Sequence, residues 1–362
     1  SSTIVSKSVA RGGGRTSYRG LVQIQPGAVG ARSTVKCDAL LVDDESRSDT
    51  YPYVDVREDD VSMGHEATVS KVSADQLFSL VPLDTAPRIA SMDPGDHATP
   101  SRHDEAWRFA ALSDLSMLMQ PNPEAGSIRS AAEGDGVTNA PTGSHAWLPT
   151  DLPSAIARSL TGNVVRVDIA AEQVTESPVV VRLVADGAVA YQHVEVTAGR
   201  HSRAVVVVEC ARGVAASGAV SIEVADAADL TVLIQCDAED DDRAIISIPV
   251  LVGRDANVTI ASFAVGGRAL RLAPAITFGA PGGRASVLGA FLVQGHSRLE
   301  QRVFVEHVQP HCTSRVAYKG ALSGEGARSV WVGDVLVRHS AIGTDTYELN
   351  RNLLLDDGPR AD

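Results

Sequence analysis

The sequence predicts an all-β protein, and three observations carry that reading. Hydrophobic residues make up 44% of the 362 positions but aromatics only 4%. The core must therefore be assembled from Val, Ile, Leu and Ala, which favours thin stacked β layers over a helical bundle with large anchors. Second, short Val-rich runs follow one another through residues 151–362, among them NVVRVDIA, SPVVVRLVA, SRAVVVVEC, DLTVLIQC and AIISIPVLV, with turn residues between them. Third, residues 313–362 repeat residues 2–49 with few gaps. Leu353-Leu354-Leu355-Asp356-Asp357 falls on Leu40-Leu41-Val42-Asp43-Asp44, Lys319 on Lys7, Gly333 on Gly20, and Arg360 and Asp362 on Arg47 and Asp49. A section carried twice points to a repeating structural unit. Periodicity alone does not choose between sandwich, barrel and solenoid.

Taken in order, residues 1–49 read as short Val/Ile/Thr/Tyr strands joined by Gly-rich turns. Gly12-Gly13-Gly14-Arg15 lacks the GxxxxGK(S/T) spacing and no helical pattern follows it, so it reads as a turn and not a phosphate cradle. Cys37 sits in an alternating run (Thr34 to Leu41), and Gly64-His65-Glu66-Ala67-Thr68 opens a second one. Alternation places thiol and imidazole/carboxylate on neighbouring strands and not on one helix. A soft thiolate, a histidine and a carboxylate can together accept sulfur and hold iron. From Ser73 the spacing predicts a short helix, with Ser73 and Gln76 as a capping box and Pro82 as its stop.

Residues 84–150 are rich in Pro, Gly, Ser and Asp and read as linker and irregular surface, with one helix expected over about 102–119, capped by Ser101-x-x-Asp104. Trp107 and Arg108 within it read as packing and surface residues. The expected domains are thus 1–83, 84–150 and an unbroken strand domain over 151–362. The four cysteines, Cys37, Cys210, Cys236 and Cys312, form no CxxC pair, so neither a zinc knuckle nor a disulfide framework is indicated. Cys210 and Cys236 end Val-rich strands and read as small core residues. A formal net charge of −13 argues against nucleic-acid or anionic membrane surfaces. No apolar run approaches a membrane span and no leader pattern opens the chain, so the expectation is a soluble, cytoplasmic protein.

The stretch STVKCDALLVDD…SDTYPYVDVREDDVSMGHEATVSKVSADQLF resembles the C-terminal core of SufB, a scaffold protein of SUF iron–sulfur cluster assembly, over about residues 1–81. DEAWRFAALSDL and the strands that follow resemble SufD, its paralogue, over about residues 100–362. The resemblance implies a right-handed parallel β-helix with a small helical or irregular segment at 84–150. It also implies a non-catalytic scaffold that carries a transient iron–sulfur cluster, with Cys37, Glu66 and His65 as the sulfur- and cluster-binding residues. The implied partners are a SufC-type ATPase, since the chain has no Walker sequence of its own, a SufB/SufD-type paralogue, and a cysteine desulfurase system as sulfur donor. An oligomeric state is expected. Asn350 takes the place of Cys37 in the second copy, so the chain reads as a SufB-like tail joined to a SufD-like section that stops at Asp362.

His307, His311 and Cys312 have metal-like spacing, but on a strand–turn–strand His307 and His311 point apart, and a turn role is favoured. Two other classes stay open. Parallel β-helices also carry polysaccharide-cleaving enzymes, although such sites need clustered carboxylates and few occur in the 151–310 strands. An inert fusion of two scaffold sections is the other.

Overall fold

The computed structural model describes residues 2–71 and 90–362, apart from connections at 11–12, 25–26, 28–30, 42–44, 58–60, 123, 134–135, 142–146, 162 and 186. The chain divides into two compact units, 1–88 and 89–362. The helix expected from Ser73 lies outside the described residues.

The first unit holds β1 (Ser2–Ala10), β2 (Arg15–Ile24), β3 (Ala31–Leu41), β4 (Arg47–Val56) and β5 (Val61–Lys71). β1, β3 and β5 form one parallel ladder and β2 and β4 another. Each strand pairs with the next but one, which is the signature of a chain wound as a coil with two strands per turn.

The second unit repeats that rule at length. A short irregular lead-in precedes β6 (Gly126–Glu133), β7 (Val137–Pro141), β8 (Asn163–Ile169), β9 (Val179–Ala185), β10 (Val189–Ala198) and β11 (Arg203–Glu209). After these come β12 (Ala215–Val224), β13 (Asp229–Ala238), β14 (Arg243–Val252), β15 (Asn257–Gly266), β16 (Ala269–Phe278) and β17 (Arg284–Gln294). The last are β18 (Arg298–His307), β19 (Thr313–Ser323), β20 (Arg328–Val337), β21 (Asp345–Leu354) and β22 (Arg360–Ala361). Odd strands from β9 to β21 stack in one parallel ladder and even strands from β8 to β22 in the other. The result is a parallel β-solenoid, the architecture the resemblance implied, and the two units together hold about nine turns. β6 and β7 run antiparallel against β9 and β8, so they occupy the hydrogen-bonding edges at which the first coil would otherwise be open.

Val and Ile suit this architecture because every inward position is stacked on its register partners. Val206, Val232, Ile260, Val287 and Val316 are register-matched and fully buried, each worth about 1.5–3 kcal/mol. Where an aromatic enters, a glycine makes room. The Tyr318 ring lies where a Cβ on its partner Gly289 would stand, about 2.1 Å away. The Phe291 ring does the same to Gly320.

Two expectations need correction. The single helix at 102–119 is instead a 3₁₀ turn at Glu105–Trp107, α1 (Leu112–Leu115) and a second 3₁₀ turn at Ser116–Leu118. The carbonyls of Glu105 and Ala106, which a helix would give to its own amides, accept from Arg302 and Arg271 of the solenoid (3.3 and 2.7 Å). Trp107 is buried under the Arg271 guanidinium, 4.0 Å from ring centroid to Cζ. The strand domain is also not free of helix, since α2 (Leu152–Leu160) precedes β8. Asp151 caps it, accepting from the Ser154 amide at 2.9 Å. Its buried face, with Ile156 and Ala157, packs beside Tyr191 of β10. Among the described residues no helix is long and apolar enough to cross a membrane.

Candidate functional site

β3 is the middle strand of its ladder. Cys37 pairs with Ser6 of β1 on one side and Ala67 of β5 on the other. His65 pairs with Val35 and Glu66 with Lys36. Adjacent strands are about 4.8 Å apart and rise about 3.3 Å per residue, so the Cys37 backbone is about 6 Å from that of Glu66 and about 8 Å from that of His65. The side chains of Cys37, His65 and Glu66 lie outside the described residues.

The second unit contains the same coil section. β19, β20 and β21 correspond to β1, β2 and β3, and the pairing confirms the alignment independently of residue identity. Asn350 pairs with Tyr318 as Cys37 pairs with Ser6, and Arg328 pairs with Arg360 as Arg15 with Arg47. Both copies carry one ion pair in the same place, Arg15–Asp49 at 2.5 Å and Arg328–Asp362 at 2.8 Å. At the position of Cys37 and two residues to either side, β21 presents Asn350, Glu348 and Asn352, on the side that is apolar in the preceding coils. Glu348 Oε1, Asn350 Oδ1, Asn352 Oδ1 and the neighbouring Trp331 Nε1 are buried without a hydrogen-bond partner. Burial pushes the Glu348 carboxyl up to about 7, with the Asp334 carboxylate adding to the shift. The opposite side of the strand leaves Tyr347 and Leu353, with Leu355 just beyond, exposed.

The three residues with metal-like spacing are not grouped. His307 is fully buried, stacked on Phe278 at 4.7 Å, with Nε2 3.0 Å from Ser314 Oγ. Burial lowers its pKa, so it is neutral at physiological pH. His311 is exposed at a turn with φ 59°. Cys312 is buried, its thiol directed to the Pro310 and Ala280 carbonyls at 3.5 and 3.6 Å, and burial raises its pKa. Among the described residues no three His, Cys, Asp or Glu side chains could jointly hold a metal ion.

Sequence reading missed two features. Between the lead-in and β16–β20 lies a cavity of about 330 Å³ whose lining includes Arg102, Arg108, Arg298 and Arg328 with Phe109 and Leu299. Arg298 and Arg328 face Asp114 (3.7 Å) and Asp362 (2.8 Å). The other feature is a thiol pair. Cys236 is buried, whereas Cys210, expected in the core, is only half-buried, and the two are register partners at the end of the β11–β13 ladder.

Stacked parallel coils, with a thiol residue beside a His-Glu pair on the next strand, define a β-solenoid protein equipped with sulfur- and metal-binding residue types. Similarity to known proteins gives the family. The family model for the SUF system FeS cluster assembly SufBD core domain matches residues 1–81 and 181–362. An iron–sulfur cluster assembly SufBD family protein of Mycobacterium bovis is 36% identical over 289 residues, 75% of this chain and 73% of that protein. One from Mycobacterium leprae is 33% identical over 301 residues, 78% and 76% of the two chains. A different M. bovis protein of the family is 82% identical over 81 residues, 22% of this chain and 10% of that protein. The chain belongs to the SufBD family, and its role lies in iron–sulfur cluster assembly.

Proposed function

We propose that the protein is a non-catalytic scaffold on which an iron–sulfur cluster is built as cargo, with Cys37, Glu66 and His65 as its first holding residues. The observation that carries this is the register of β3 against β5, which brings the thiol residue next to the His-Glu pair. Cys37 as thiolate accepts sulfane sulfur or ligates iron. Glu66 and His65 offer harder ligands to incoming iron and can relay protons. Sulfur comes from a cysteine desulfurase system, and ATP hydrolysis from a SufC-type partner.

Pairing with a SufB/SufD-type paralogue is part of this proposal, and β21 is its candidate surface. β21 combines exposed Tyr347 and Leu353 with three unpartnered polar side chains, and a partner strand can supply both apolar cover and hydrogen bonds. The test of the scaffold reading is anaerobic reconstitution of the purified chain with iron and sulfide, read by visible absorption. Cys37→Ala abolishes the colour, while Cys210→Ala and Cys236→Ala retain it. Equal loss in all three variants would mark nonspecific iron sulfide.

A further inference from the structure

We infer that Cys210 and Cys236 form an oxidisable dithiol, which closes to an intramolecular disulfide by exchange with low-molecular-weight disulfides. Three observations bring the two sulfurs together. The β11–β13 ladder runs from Arg203–Asp229 to Glu209–Gln235. It continues one step further, because the Cys210 amide donates to the Gln235 carbonyl at 2.8 Å, the bond that pairs Cys210 with Cys236 in a parallel ladder. Both side chains leave the strand on the core side, following Val206 and Val208 in one case and Val232 and Ile234 in the other.

Register-paired residues of neighbouring parallel strands have Cα atoms about 4.8 Å apart, inside the range of about 4.4–6.8 Å that a disulfide spans. Exposure then assigns the roles. Cys210 is half-buried at the end of β11, where the chain turns towards Gly213, so an external disulfide can meet it. Cys236 is 2% exposed and can be reached only from Cys210. The neighbouring Cys210 thiol, followed by burial, raises the pKa of the Cys236 thiol and keeps it protonated until exchange begins.

The reaction takes two exchanges. The Cys210 thiolate attacks RS–SR, forming Cys210–S–SR and releasing RS⁻. Cys236 then gives up its proton, most directly to the departing RS⁻, and its sulfur attacks Cys210 Sγ. The Cys210–S–S–Cys236 bond forms as the second RS leaves. Two protein thiols are oxidised and one external disulfide is reduced to two thiols.

The experiment incubates the folded full-length chain with glutathione disulfide, quenches it in acid, and maps cysteine linkages by mass spectrometry without reduction. The expected product joins the peptides holding Cys210 and Cys236, and dithiothreitol restores both thiols. Cys236→Ala is expected to fold, because alanine is the residue of the next coil in the same column (Ala264), and to stop at a stable glutathione adduct on Cys210. A wild-type chain that accumulates that adduct with Cys236 still free would overturn the proposal. So would a folded wild-type chain in which neither thiol reacts although both react in urea.

Discussion

Glu348 offers a direct measure of what the polar row on β21 does to the fold. Its carboxyl is raised from 4.5 to about 7, mainly by burial and secondarily by Asp334. Between those values the folded chain keeps a proton that the unfolded chain has released, so the folded state binds more protons and stability falls as pH rises. The contribution is complete below 4.5 and lost once pH passes about 7. The full shift corresponds to about 3 kcal/mol, but the group is only partly buried, and screening leaves about 1–2 kcal/mol. Glu348→Gln removes this term while keeping shape and hydrogen-bonding capacity. Near pH 4 the variant should match the wild type, and near pH 8 it should be the more stable by that amount. Amide hydrogen exchange along β21 reads the effect locally, and the ratio of variant to wild type at each pH cancels the chemical exchange rate. The expected gain in protection at the higher pH is about 5- to 30-fold. A ratio that does not change with pH would refute the assignment of Glu348 as a buried, late-titrating group.

Other substitutions test the packing logic. Gly289→Val puts a side chain into the space of the buried Tyr318 ring and should cost about 1–3 kcal/mol in urea unfolding; a wild-type midpoint would mean the ring moves aside. Glu300→Ala strips the buried Arg271 of its carboxylate, and a loss of about 3–5 kcal/mol is expected. Arg271→Met with Glu300→Leu should recover most of it, and an equally unstable double variant would show that the pair is needed as charges. Asn350→Leu removes an unpartnered buried oxygen and should leave the isolated chain as stable or more so, while weakening association with a SufB-type partner in sedimentation. Unchanged association would exclude Asn350 from that interface.

The fold was legible because its cause is local and repeated. Val-rich alternation announces strands, and the recurrence of residues 2–49 at 313–362 announces stacked units. Where the reading failed, a distant residue decided the outcome. The 102–119 segment has a cap and a helical apolar face, yet its carbonyls bond Arg271 and Arg302, more than a hundred residues away. The α2 helix was readable, since Asp151, Pro153 and the apolar spacing of Leu152 and Ile156 are ordinary start signals, but it was hidden among strand runs. The Cys210–Cys236 pair required the coil length. Their spacing equals that of the register partners Arg203 and Asp229, a signal visible only once the solenoid period is known.

That same geometry separates the fold from the chemistry of the site. In a two-ladder coil the backbone bonds, the turns and the flanking ion pair are set by positions that both copies share, as Arg15–Asp49 and Arg328–Asp362 do. A residue in the middle of β3 or β21 can change without altering any of them, because its amide and carbonyl stay in the ladder whatever the side chain. One copy can therefore hold a thiol at Cys37 and the other an amide at Asn350 on the same scaffold. The cost of unusual side chains falls on the strand that carries them. On β21 it is visible as unpartnered oxygens and a carboxyl pushed up to about 7, whereas the interior coils from β11 to β17 are filled almost wholly by Val, Ile, Leu and Ala.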